Sequence, residues 1–529
     1  LLSAFTVNNN DRLYEISKNI EIFVKVYKEL NANYVDDIDP NHLMRIGIDA
    51  MVGSLDPYTT YFSEAQVESY RISTDGKYEG IGSVVKTIDG YVTIVEPYQG
   101  SAVLDAGLQA GDQIISIEGM STDGKSHEEV TQMFRGVPGT NISLGINRPS
   151  ESRKFEVSLT RKEVNIPNVP YSGFVDPDIA YVSLSTFTQN AGKNIREALR
   201  DMKKENEDLK GVILDLRDNG GGLLNEAINV SNIFIDKDKE IVSIKSKVRE
   251  RDISYKTRML PTDKDIPLVV LINKRSASAS EIVSGVMQDY DRGVLMGQRS
   301  YGKGLVQNTK EVGYNAQVKL TTSKYYIPSG RCIQSVEYED GEPVDIEDDK
   351  RAKFKTKGGR TVLDGGGVRP DVMLDAPKQH QFTQELEKQN LIFKYVNQYI
   401  EKLDSTAKVL ENISFTDYDD FKSFVAQSEL NYTSENEELL EKIEANLEDH
   451  DPANIKSEVE SLKEKIALEK AMSLDKYEKQ ITEMIEIQMA TRLHLQKGKV
   501  YQKLKHDPEI ESAIEVLKTP EKYNKLLQS

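Results

Sequence analysis

Histidine is missing from the stretch where a protease or transferase would most often need it. The chain of 529 residues holds six (His42, His127, His380, His450, His494 and His506), and none lies between residues 164 and 375. A nucleophile in that stretch must take its base from another residue type. A single cysteine, Cys332, excludes an internal disulfide. No His, Cys and acidic residues recur at metal-ligand spacing, so no metal or other cofactor is expected. No apolar run approaches the ~20 residues that span a bilayer. Positive charge is also short. Against 86 Asp and Glu stand 68 Lys and Arg, a net charge of −18, which argues against nucleic acid because phosphate binding needs a basic face. The opening residues, Leu1-Leu-Ser-Ala-Phe-Thr6, contain no initiator methionine. They suggest that an upstream signal peptide or membrane anchor has been removed.

What is present reads as four regions of a multidomain α/β protein, in line with the roughly three or four domains that such a length implies. Residues 1–75 are helical, with Ile16, Ile20, Phe23, Val26 and Leu30 at helical spacing and a helix start at Asp39-Pro40-Asn41. Residues 76–163 alternate short β-type runs with glycine turns and hold one helix, Ser126–Phe134, whose Ser126 and Glu129 have capping-box spacing. Residues 164–375 alternate near-continuous apolar strands with helices, which predicts a buried sheet with helical cover. The helices fall at about 191–205, 224–234 and 280–289. Residues 376–529 are charged, periodic and poor in glycine, a helical extension with solvated faces. Within it, residues 405–475 have the charge and low aromatic content of a partly flexible segment.

Two short motifs carry the chemistry. Ser276-Ala-Ser-Ala-Ser-Glu281 follows the apolar run Pro267–Asn273 and precedes a helix. A helix start there puts N–H groups and a positive dipole end beside a serine. Ser300-Tyr-Gly-Lys-Gly-Leu-Val-Gln307 supplies a lysine between glycines. Leu214-Asp-Leu-Arg-Asp-Asn-Gly-Gly-Gly-Leu-Leu224 adds a glycine-rich strand end able to approach an oxyanion. A lysine is a base only when neutral, and its ordinary pKa near ~10.4 falls on burial. The apolar run 293–297 and the lack of an acid within Gln298–Gln307 fit a desolvated Lys303. Gln307 can accept a hydrogen bond from the amine without adding charge. Glu281, as the first acid of a helix, reads as a dipole partner or a supporting residue. Arg217 and Asp218 read as a turn-fixing pair or as supports of the oxyanion loop. Cys332 reads as a small buried residue.

Taken together, these motifs resemble the carboxyl-terminal processing peptidases, or tail-specific proteases. The resemblance also draws on a PDZ-like segment: Gly80-Ile-Gly-Ser83, Ser101-Ala-Val-Leu-Asp-Ala-Gly-Leu108 and Ala110-Gly-Asp-Gln-Ile-Ile115. It implies a Clp/crotonase-like α/β protease core, with an inserted PDZ β-barrel and helical regions at both ends. By position, Ser278 matches the family nucleophile, Lys303 the general base, and Gln307 the residue that orients the lysine. The N–H groups of Ala279 and Gly222 match the oxyanion hole. The PDZ resemblance implies capture of protein C-terminal tails by strand addition along 83–87. The carboxylate would meet the loop of Gly80, Ile81, Gly82 and Ser83, and Val130 and Met133 would wall the side-chain pocket. Export to the periplasm or cell envelope is expected, with a homo-oligomer or a regulatory adaptor as further partners. Two alternatives stay open on the sequence: a catalytically silent PDZ adaptor, and an acyl-CoA enzyme of crotonase type, since fold does not decide function.

Overall fold

The computed structural model describes residues 9–334, 338–339, 342–344, 347–428, 430, 432–447 and 453–528. The chain divides into two compact units, Leu1–Ser69 with Leu305–Ser323, and Tyr70–Gly304 with Lys324–Ser529. In the first unit, helices Asn9–Asn33 and Pro40–Gly53 follow the apolar periodicity. Asp39 caps the second helix by accepting the Asn41 N–H, with Pro40 in the first turn, where its missing N–H costs nothing. Asp56 closes the next turn by accepting the N–H groups of Tyr58 and Thr59, each at 2.8 Å. Strand Thr60–Phe62 then pairs antiparallel with Gln317–Lys319.

The second unit contains the PDZ-like sheet, the core sheet and the C-terminal helices. The PDZ-like segment is an antiparallel six-stranded sheet. Its main path runs Ser83–Ile88, Tyr91–Pro97, Gln113–Ile117, Asn141–Arg148, Arg153–Thr160. Helix His127–Phe134 carries the expected capping box between Ser126 and Glu129. Strand Ser83–Ile88 lies at the sheet's end, with one edge unpaired within the sheet.

The core sheet has the order Tyr171–Asp176, Ile179–Ser183, Gly211–Asp215, Leu268–Ile272, Val294–Gly297, Val372–Met373. Its first pair is antiparallel and the rest are parallel. The crossover helices Ala191–Glu205, Leu224–Phe234 and Ala279–Asp289 pack side by side. Consecutive right-handed crossovers place such helices on one face. Alternate strand residues Ile213, Val269, Leu271, Val294 and Met296 form an apolar surface. It is covered by Ile510, Ala513, Val516, Leu517 and Tyr523 from helices Pro508–Lys518 and Pro520–Gln528. These two helices thus complete the packing of the core sheet.

The remaining C-terminal helices have their own core. Phe382, Leu386, Tyr395, Phe421, Ile481 and Met489 are among its buried members. The core includes part of the segment 405–475 that composition suggests is partly flexible, of which residues 429, 431 and 448–452 lie outside the described residues. Phe415, Tyr418, Phe421 and Val425 are concentrated at 415–425 and supply the burial that the segment's average composition hides. Lys394 reaches Asp89 at 2.7 Å, and Lys499 reaches Glu96 at 3.4 Å, so this helical region also holds the PDZ-like sheet.

Candidate active site

Ser278 stands between strand Leu268–Ile272 and helix Ala279–Asp289, with φ 55° and ψ −111°. A non-glycine residue keeps such a left-handed setting only when its surroundings over-determine it. The glycine-rich loop after strand Gly211–Asp215 does part of this. The Ala277 N–H donates to the Asn219 carbonyl at 3.0 Å, and the Ser280 hydroxyl donates to the same oxygen at 2.8 Å. The Ser276 hydroxyl donates to the Leu216 carbonyl at 2.8 Å.

Arg217 and Asp218 do not pair with each other. Arg217 is held by Asp215, Asp507 and Glu509, the last two from the C-terminal end. Asp218 instead accepts from Asn273 at 2.7 Å and Arg275 at 2.8 Å, tying the loop to the residues just before the turn. Their directions differ because Asp218 itself has a positive φ, 61°.

The oxyanion donors that the resemblance implies are the N–H groups of Ala279 and Gly222. Ala279 is the first helical residue, and among the described residues its N–H meets no acceptor. The Gly222 N–H likewise meets none. At φ +145°, Gly222 lies so close to Phe187 that a Cβ would stand 2.6 Å from the Phe187 carbonyl oxygen. First-turn N–H groups without partners are suited to an anion.

Lys303 is joined to Ser278 through Glu281. The Glu281 side chain is fully buried. Its Oε2 accepts the Ser278 N–H and the Lys303 N–H, each at 2.8 Å. Its Oε1 accepts the Ser300 hydroxyl at 2.6 Å and the Gly302 N–H at 2.7 Å. The Ser300 oxygen in turn accepts the Val368 N–H, so its hydrogen is directed at the carboxylate. Burial pushes the Glu281 carboxyl above its usual range, while these donors pull it back. Four donors match the lone pairs of an ionised carboxylate. The surroundings of Lys303 are therefore not acid-free, as the residues next to it in sequence suggested: an acid arrives from the helix, at its main-chain N–H.

On the carbonyl side, the single hydrogen of the buried Tyr325 hydroxyl is shared between the Lys303 carbonyl oxygen, the closer acceptor, and the Ser278 carbonyl oxygen at 3.1 Å. Neither Glu281 nor Tyr325 stands out by residue type. For Glu281 the sequence offers its place as the first acid of a helix and, beyond that, the Ser278-x-x-Glu281 spacing of a capping box. Gln307 lies in the other unit, on strand Leu305–Gly313, where its side-chain amide donates to Thr321 at 3.3 Å. Cys332 is half-buried, and burial raises its thiol pKa. Among the described residues no cluster of three or more His, Cys, Asp or Glu could hold a metal, and no helix is long and apolar enough to cross a membrane.

In the PDZ-like sheet, Ile81 is buried and its carbonyl accepts the Val103 N–H at 3.1 Å. Gly82 sits at φ +84°, where a Cβ would meet Ser101 at 2.3 Å. Gly80 packs under the Tyr78 ring, 3.0 Å from a would-be Cβ. Burial pushes the Tyr78 phenol pKa up, and the nearby N–H groups of Ser83 and Gly82 pull it back. Val130 has no accessible surface and belongs to the domain's core, which leaves the half-buried Met133 as the helix residue able to wall a groove.

Residues 178–344 match the model of Peptidase family S41, residues 71–147 match that of the PDZ domain, and residues 382–517 match "Probable PDZ-protease, C-terminal helical domain". A carboxy-terminal-processing protease of Bartonella bacilliformis is 34% identical over 338 residues, which cover 64% of this chain and 76% of that one. A Staphylococcus aureus protein named "Probable CtpA-like serine protease" is 30% identical over 361 residues, 68% of this chain and 66% of that one. Among solved structures, a photosystem II D1 C-terminal processing protease is 24% identical. It covers 67% of this chain and 92% of its own, with a TM-score of 0.36.

Proposed function

This chain belongs to the carboxy-terminal-processing proteases of peptidase family S41, and from that premise we propose a Ser278/Lys303 endopeptidase that selects protein C-terminal tails through its PDZ domain. Membership makes it a serine-type peptidase and removes the acyl-CoA alternative. The observation that best supports the dyad is the Glu281 carboxylate oxygen shared by the N–H groups of Ser278 and Lys303.

In this reading the Ser278 Oγ attacks the scissile carbonyl carbon while neutral Lys303 Nζ takes the hydroxyl proton. The oxyanion that forms is met by the N–H groups of Ala279 and Gly222, each contributing on the order of 3 kcal/mol to the lowered barrier. Lys303 passes its proton to the leaving nitrogen, the C–N bond breaks, and an ester to Ser278 remains. Lys303 then deprotonates a water that attacks the ester carbonyl carbon, and it returns that proton to the Ser278 Oγ as the ester C–O bond breaks. Gln307 is assigned to orienting the lysine by its place in the family motif.

The tail would add along the free edge of Ser83–Ile88 and set its carboxylate on the Gly80–Ser83 loop. Protein tails are the partners this reading requires, with a second copy or a regulatory adaptor as further ones. Its proposed place is the periplasm or cell envelope, which fractionation of cells tests. The central test is incubation with an unstructured protein. Wild type should cut it, and Ser278→Ala and Lys303→Ala should each be inert while folded. Turnover by either variant overturns the dyad.

A further inference from the structure

We infer that Tyr325 is a positioning residue for the dyad: its hydroxyl sets the distance between the Ser278 and Lys303 main chains from the carbonyl side. The inference rests on the Ser278/Lys303 reading.

The Tyr325 side chain is 1% exposed, so its hydroxyl must find protein partners. Those partners are the carbonyl oxygens of Ser278 and Lys303. The Ser278 carbonyl also accepts the Glu281 and Ile282 N–H groups of its own helix, both at 2.9 Å. Tyr325 adds a donor from outside the helix. On the lysine side it makes two consecutive links: its own N–H donates to the Gly304 carbonyl at 3.0 Å, and its hydroxyl to the Lys303 carbonyl.

Glu281 holds the two N–H groups of the same residues from the other side. The peptide groups on both sides of each dyad residue are thereby held, the N–H groups by Glu281 and the carbonyl oxygens by Tyr325. The Glu281 clamp alone leaves rotation about the Lys303 N–H direction open. The Tyr325 hydroxyl closes it. A shift of a reacting group by about 1 Å can cost on the order of a hundredfold in rate, so a single hydroxyl in this place acts on catalysis without touching substrate.

The test compares wild type with Tyr325→Phe in the full-length protein. Three quantities are read: kcat and KM on a free-tail protein substrate, the melting temperature, and the rate at which a chromogenic activated ester acylates each active site. The expected result is a roughly ten- to hundredfold fall in kcat and in acylation rate per site, with KM unchanged. A purely structural role would lower the melting temperature and the fraction of sites that react, but not the rate per site. In a second variant, 4-aminophenylalanine at position 325 restores a donor in the same ring and should recover most of the rate. It also serves if Tyr325→Phe does not fold. Wild-type acylation by Tyr325→Phe, or no recovery by the amino variant, overturns the inference. Turnover by Lys303→Ala, run alongside, would instead overturn the dyad itself.

Discussion

Gly221 lies against Ser278 so closely that a Cβ on the glycine would stand 2.8 Å from the Cβ of the serine. The same added carbon would meet the Ala277 carbonyl oxygen at 2.7 Å and the Ala279 nitrogen at 2.9 Å, and Gly221 holds φ at +99°. Two backbones and one nucleophile share this space. Gly221→Ala must therefore push the loop off the turn or strain both. The expected outcome is a loss of at least about a hundredfold in kcat and a stability cost of ~1–3 kcal/mol. Denaturant unfolding and turnover on one preparation check it, and near-normal turnover would show that the loop and the turn are not coupled.

Glu281→Gln keeps the shape and replaces one acceptor oxygen by an NH2 donor. Four donors now face one oxygen, so two of them lose their acceptor, at about 1–3 kcal/mol each. Because those donors include the N–H groups of Ser278 and Lys303, activity should fall together with stability. The pH dependence has a definite sign. The folded carboxyl titrates above its usual 4.5, chiefly through burial. Between that value and the raised one the native state holds more protons than the unfolded state, so this group's contribution to stability falls as pH rises. Unfolding free energies measured across mildly acidic pH should lose that component in the Gln variant. An identical pH slope in both proteins would mean that Glu281 does not titrate in this way.

Local order was largely legible in the sequence. The helices Ala191–Glu205 and Leu224–Phe234 and the strand Leu268–Ile272 have the bounds that periodicity suggested, and Ser126 caps its helix as its spacing with Glu129 indicates. These features depend on neighbours within a few residues. What was not legible depends on distant partners. Glu281 reads as a dipole partner until the loop 300–303 closes over it. Tyr325 is one tyrosine among 25 until its hydroxyl is seen between two carbonyls. The periodicity of helix Pro508–Lys518 announces an apolar face but not that the core sheet receives it. Arg217 and Asp218, adjacent in sequence, turn to different partners for the same reason.

The proposed base makes a second pH prediction. Only the neutral amine of Lys303 can accept the serine proton, so the acylation rate should rise with pH as the amine loses its charge, and level off above its pKa. Lys303→Arg should be inactive across the range, because a guanidinium stays protonated. Single-turnover acylation by a chromogenic activated ester, followed from mildly acidic to alkaline pH, separates this from substrate binding. A flat profile would count against a titrating base, and an active Arg variant would exclude lysine as the proton acceptor.

The last prediction concerns Tyr78 and the tail carboxylate. Carboxylate capture by the Gly80–Ser83 loop needs N–H donors, and the Tyr78 phenol oxygen lies near enough to those of Ser83 and Gly82 for them to lower its pKa. Its ring is anchored over Gly80 and stands edge-on to Tyr98, with centroids 6.3 Å apart. A carboxylate entering the loop would compete with this phenol for the same donors. Tyr78→Phe removes the oxygen and keeps the ring, so free-acid tails should bind about ten times more tightly, the scale of one net hydrogen bond of ~1.5 kcal/mol. Amidated tails lack the charge that profits from the freed donors. For wild type, amidation should weaken binding roughly ten- to hundredfold, as charged hydrogen bonds of about 1.5–3 kcal/mol imply. Fluorescence anisotropy with paired free-acid and amide peptides, on Ser278→Ala with and without Tyr78→Phe, measures both effects without cleavage. Equal affinity of acid and amide would remove carboxylate capture altogether. A preference for the acid that Tyr78→Phe leaves unchanged would keep the capture and remove Tyr78 as its competitor.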